Sequence, residues 1–118
     1  MKQTLKKIID YVVGAADPDM VILFGSMANG LPNVFSDVDL LIITENSPYK
    51  KDIAARIVSY SNELSLKTDV LIYSRSEMER ESQKPNSFIA AIIESGKVVY
   101  KKKIKKKLAF LKKVDYNY

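Results

Sequence analysis

Cysteine, histidine and tryptophan are absent from this chain of 118 residues, and glycine and proline occur only four times each. Without cysteine there are no disulfides and no thiolate metal sites; without histidine, any bound ion would be held by oxygen. No Pro/Gly/Ser-rich linker and no internal repeat divides the chain, so a single domain is expected. No apolar run approaches a membrane span, and the N-terminus lacks the long apolar segment of a signal peptide, which makes the cytoplasm the expected location. With 47% hydrophobic residues, so short a chain buries one modest core, to which partner contacts would add.

Charge is plentiful but unevenly placed. Residues 1–96 carry 10 Lys/Arg against 13 Asp/Glu, whereas residues 97–118 carry 9 Lys against the single Asp115. The basicity thus belongs to the C-terminal end, and the whole-chain pI of about 9.3 is a poor guide to a nucleic-acid groove.

The body of the chain alternates helical and strand patterns. Leu5, Ile8, Ile9, Val12, Val13 and Ala16 recur at helical spacing, which predicts an amphipathic helix ending before Asp17-Pro18. The β-prone apolar runs Met20-Val-Ile-Leu-Phe24 and Val38-Asp-Leu-Leu-Ile-Ile43 predict two buried strands. Ser47-Pro48 reads as the cap and first turn of a second helix with a buried stripe of Ile53, Ala54, Ile57, Val58 and Leu64. A third strand is expected within Lys67-Thr-Asp-Val-Leu-Ile-Tyr73. Ser76 with Glu79 suggests a capping box opening a short helix that stops before Lys84-Pro85. Phe88, Ile89, Ile92 and Ile93 give a last core helix, closed by Gly96 as a C-terminal glycine.

The chemistry sits between the first two strands. Gly25-Ser26 falls where a buried strand ends in a turn, and ten residues later comes Asp37-Val38-Asp39. Gly25 lets the backbone approach a ligand closely, while the Ser26 hydroxyl and neighbouring amides can donate to phosphate oxygens. Strand alternation puts Asp37 and Asp39 on one face and Val38 on the other. Two such carboxylates repel each other unless a cation neutralises them, and oxygen-only ligation suits Mg²⁺. A plainer reading stands beside this one: Ser36 and Asp37 open the strand as turn residues, with Asp39 solvated. The crossover to the third strand is long enough for parallel pairing, which would bring Asp69 to the same sheet end as Asp37 and Asp39.

Phe24-Gly-Ser-Met-Ala-Asn-Gly30 followed by Ser36-Asp-Val-Asp-Leu-Leu41 resembles the minimal nucleotidyltransferase family of the polymerase β superfamily. The likeness extends over residues 4 to 100, through Asp69 and the segment from Ser87 to Tyr100. It implies an α/β (α+β) nucleotidyltransferase fold, a small mixed three-stranded sheet with flanking helices, over residues 1–100. Residues 101–118 form a basic tail in which Ile104, Leu108 and Leu111 would give one face of a helix.

By the same resemblance, Asp37, Asp39 and Asp69 are the catalytic carboxylates and hold two Mg²⁺ ions, with Gly25 and Ser26 on the β/γ-phosphates. An acceptor hydroxyl would attack the α-phosphorus of a nucleoside triphosphate, with ATP expected, and expel pyrophosphate. The family often carries arginines where this chain has Met27 and Asn29, so Lys50, Lys51 or Lys67 would have to supply positive charge. The implied partner is a small helical HEPN protein, for which the chain would be the antitoxin. Three functions remain open: nucleotidylation of that partner, stoichiometric binding of it, or transfer to a small molecule or RNA end. Oligomeric state is left open, and membrane or nucleic-acid partners are not expected.

Overall fold

Every residue of Met20–Phe24 and Val38–Ile43 is buried, as strands covered on both faces must be. The computed structural model describes residues 2–25 and 37–103. Helix α1 (Lys2–Ala16) leads into strands β1 (Met20–Phe24) and β2 (Val38–Ile43). A 3-10 turn at Ser47–Tyr49 precedes α2 (Lys50–Glu63) and β3 (Thr68–Tyr73), and α3 (Arg75–Ser82), α4 (Phe88–Ser95) and β4 (Lys97–Lys101) complete the fold. No helix among the described residues is long and apolar enough to cross a membrane.

The sheet order is β3-β2-β1-β4, with β2 parallel to β3 and β1 antiparallel to both β2 and β4. The mixed sheet is as expected, but it has four strands rather than three. The fourth forms because Lys97–Lys101 pairs along the free edge of β1, so the basic C-terminal segment begins inside the sheet. Alternation then divides the core between two faces. Val21, Leu23, Val38, Leu40 and Ile42 pack against Ile8 and Val12 of α1 and Ile53 and Ile57 of α2. Met20, Ile22, Leu41 and Ile43 pack against Met78 of α3 and Ile89, Ile92 and Ile93 of α4.

Three local expectations are corrected. The capping box belongs to Ser74 and Glu77: Ser74 Oγ accepts from the Glu77 N–H at 3.1 Å and Glu77 Oε1 from the Ser74 N–H at 2.9 Å. It lies two residues earlier than Ser76 and Glu79 because β3 runs to Tyr73 and enters α3 without a loop. Gly96 does cap α4, but at φ −77° it is extended rather than left-handed. Its reason is space: a Cβ there would lie 2.6 Å from both Ile22 Cγ2 and the Ile92 carbonyl oxygen. Ser47-Pro48 opens the 3-10 turn, and α2 starts after Tyr49 with no side-chain cap.

One buried polar link escaped the periodicity. Ser61 Oγ donates to the Leu66 carbonyl at 2.8 Å and shares a hydrogen bond with Thr68 Oγ1 at 2.5 Å. It ties the end of α2 to the first residue of β3, which carries Asp69 next.

Candidate active site

The parallel register pairs Asp39 with Asp69, and the antiparallel register pairs Phe24 with Asp39. The end of β1 and the starts of β2 and β3 therefore meet at one edge of the sheet, as the crossover argument expected. Asp39 and Asp69 have the same parity as Leu41 and Leu71, so both rise from the face that carries α3 and α4. At the edge where Asp39 and Asp69 begin lies an open cavity of about 510 Å³, lined by Gly25, Asp39 and Asp69 together with the apolar Phe24, Leu71 and Phe88. Asp39 is 6% exposed, while Asp69 is exposed.

Gly25 is the tightest point of the site. Its φ of +75° is in the left-handed region, and a Cβ built on it would stand 2.2 Å from Asp39 Oδ2. Both conformation and space demand glycine there. The carboxylate of Asp39 is thus packed against bare backbone at the mouth of the turn that follows β1.

Asp37 behaves differently from its neighbour. Its Oδ2 accepts from the Lys67 N–H at 3.0 Å, and the N–H groups of Asp37 and Val38 both donate to the Lys67 carbonyl, at 2.8 and 3.1 Å. These bonds extend the β2–β3 ladder by one step, so Asp37 plays the strand-opening part in this structure, and it does not line the cavity. Among the described residues no three Asp or Glu side chains are grouped closely enough to hold an ion between them. Two carboxylates side by side across paired strands are destabilising unless a cation lies near them. With the narrow gap at Gly25, this oxygen-only pair fits a hard ion that fills the rest of its shell with water and phosphate oxygens.

The lysines considered for phosphate charge are separated by the fold. Lys50 lies beyond the opposite end of the sheet, 3.7 Å from Glu77, and Lys51 follows it on α2. Only Lys67, beside Asp37, is at the site's end. Ser26, Met27 and Asn29 lie outside the described residues, as does the tail from residue 104 onward.

One further reading of the sequence changes here. Phe88 was expected in the core of α4, yet it is 63% exposed at the cavity wall. As the first residue of its helix it overhangs the strands that bury Ile89, Ile92 and Ile93. Periodicity alone gives such an end residue the same weight as the rest of the stripe.

Residues 6–105 match the family described as polymerase beta, nucleotidyltransferase. Over 54 residues the chain is 44% identical to a protein of Methanocaldococcus jannaschii described as "Putative protein adenylyltransferase". That match covers 46% of this chain and 54% of the relative, so the chain spans about half the length of the curated relative it matches. A crystal structure described as "a putative nucleotidyltransferase" from Sulfolobus solfataricus superposes with a TM-score of 0.55 at 19% identity, over 86% of this chain and 80% of that one. The last likeness bears on the fold alone. With the match running from within α1 past the end of β4, and so through all four strands and both cavity carboxylates, the chain belongs to the polymerase beta nucleotidyltransferase family.

Proposed function

We propose that the protein transfers a nucleoside monophosphate, AMP from ATP, to a hydroxyl group of a partner protein. The observation that carries the reading is the register of Asp39 with Asp69 in a cavity that the left-handed Gly25, packed against the Asp39 carboxylate, also lines. Partial identity to a protein described as an adenylyltransferase supports AMP and a protein acceptor.

In this reading Asp37 keeps its strand-opening bond to the Lys67 N–H, while Asp39 and Asp69 would hold Mg²⁺. When bound, it neutralises the triphosphate and makes pyrophosphate a better leaving group. Gly25 and Ser26 seat the β/γ-phosphates through backbone and hydroxyl donors. Asp69, exposed at the cavity wall, orients the acceptor hydroxyl and takes its proton. The hydroxyl oxygen bonds to the α-phosphorus in line as the bond to the bridging oxygen breaks. The acceptor would be a small helical HEPN-type toxin, which would make this chain its antitoxin and place it in the cytoplasm.

The test is incubation of the native chain with a native cell extract, Mg²⁺ and ATP labelled at the α-phosphate, followed by mass spectrometry of whatever becomes labelled. A protein carrying an AMP adduct is expected, absent with Asp39→Asn and with Asp69→Asn. Adduct formed equally well by Asp69→Asn would refute its catalytic role.

One observation favours a second reading. The bond between Asp37 and Lys67, with no arginine at positions 27 and 29, suits a module that neutralises its partner by binding alone. Full neutralisation by Asp69→Asn without any adduct would select that reading.

A further inference from the structure

Phe88 is a large apolar side chain left 63% exposed while the rest of its helix stripe is buried. It is nevertheless held in place. Ser87, the cap of α4, accepts from the Ala90 N–H at 3.0 Å and donates to the Glu81 carbonyl at 2.9 Å, so the start of α4 is fastened to the end of α3. The Phe88 ring meets Phe24 edge to face, with centroids 5.9 Å apart and planes at 86°. Phe24 in turn is paired with Asp39 and precedes Gly25. An exposed ring on a fixed support therefore lines the same cavity as Gly25 and the two carboxylates.

We infer that Phe88 is the stacking platform for the nucleobase of the triphosphate, and that this site takes purine nucleotides in preference to pyrimidine ones without telling adenine from guanine. The inference rests on the nucleotidyltransferase reading above. Once Gly25 and the carboxylates have taken the phosphates, the part of a nucleotide still to be placed is a flat aromatic ring. The wall available to it is the apolar set Phe24, Leu71 and Phe88. Stacking on such a wall is tolerant of base identity because every base has a π-face, and it grows with ring area. Reading a base edge would need donors and acceptors fixed at its rim, and the described lining of this wall has no amide, guanidinium or hydroxyl side chain.

The test measures Mg²⁺-dependent binding of ATP, GTP, CTP, UTP and inorganic tripolyphosphate by calorimetry, in the native chain and in Phe88→Ala and Phe88→Tyr. Phe88→Ala should weaken all four nucleotides, roughly tenfold for the purines, and leave tripolyphosphate unchanged; Phe88→Tyr should stay near native. Because the chain has no tryptophan and seven tyrosines, Phe88→Trp supplies a lone tryptophan whose emission, excited selectively over the tyrosines, ATP should quench and tripolyphosphate should not. Native affinity for ATP in Phe88→Ala overturns the inference and leaves the proposed function standing. So does equal weakening of ATP and tripolyphosphate, or ATP and GTP affinities more than tenfold apart in the native chain. A Phe88→Ala protein that binds ATP normally but transfers poorly would assign the wall to the acceptor instead. If the native chain binds neither ATP nor tripolyphosphate with Mg²⁺, the proposed function fails and the inference falls with it.

Discussion

The α-carbon of Gly25 lies so close to the Asp39 carboxylate that a Cβ would come within 2.2 Å of Oδ2. That contact joins the end of β1 to the interior of β2 across the site, and it makes Gly25 intolerant of substitution on two independent grounds.

Gly25→Ala should therefore be damaging although it adds one carbon. The left-handed φ alone costs alanine about 1–2 kcal/mol, and the contact forces Asp39 to move. We expect a lower midpoint in urea and a loss of Mg²⁺–ATP coupling larger than that destabilisation explains. An unchanged midpoint with native nucleotide binding would show that the turn relaxes freely.

Asp37 and Asp39 should separate under the same substitution. Asparagine at position 37 keeps an oxygen for the Lys67 N–H, so Asp37→Asn should leave stability nearly unchanged, while Asp37→Ala loses about 0.5–1.5 kcal/mol. Asp39→Asn should abolish the strengthening of ATP binding by Mg²⁺. Urea denaturation and calorimetry on the three variants check both halves.

Glu77 provides a pH signature away from the site. Its hydrogen bond from the Ser74 backbone, with help from the Ser74 side chain and Lys50, holds its carboxyl below the ordinary value of 4.5. The stabilisation is present in full above about pH 4.5 and is lost as pH falls through the lower folded-state value. Glu77→Gln should lower the melting temperature at pH 7 and converge on the native chain as pH falls through that acid window, flattening the pH dependence there. An acid limb as steep in the variant as in the native chain would assign it to other carboxylates.

The C-terminal segment should divide at a sharp boundary. Lys101 pairs with Met20 in the sheet, the Lys102 N–H donates to the Asp19 carbonyl at 2.9 Å, and Lys102 Nζ lies 2.8 Å from Asp17 Oδ1. A chain ending at Tyr100 should melt about 5 °C below one ending at Lys103, the shift expected for roughly 1 kcal/mol in a domain of this size. Because Met20 begins β1 and Gly25 follows its end, these residues sit at the opposite end of the sheet from Asp39. Both truncations should accordingly keep Mg²⁺-dependent ATP binding at temperatures where they are folded.

Much of this architecture was legible in the chain. Strand runs at Met20–Phe24 and Val38–Ile43, and helical spacing of Ile8 with Val12 and of Ile53 with Ile57, follow from periodicities that hold in any fold. The length of the crossover was enough to bring Asp69 beside Asp39. What stayed hidden depends on neighbours that no local pattern names. The shift of the capping box from Ser76 to Ser74 follows from where β3 ends, and the need for Gly96 follows from the closeness of Ile22.

The residues themselves determined the order of elements and the meeting of Gly25, Asp39 and Asp69 at one sheet end, because alternation acts within a segment and the length of the crossover sets which strand ends meet. Only the tertiary structure decided that β4 joins the sheet, that Asp37 bonds to the Lys67 backbone while Asp39 lines the cavity, that Lys50 lies at the wrong end for phosphate, and that Phe88 faces the cavity. Each of those depends on which backbone groups and surfaces of distant segments are left uncovered, a quantity that exists only once the strands have paired.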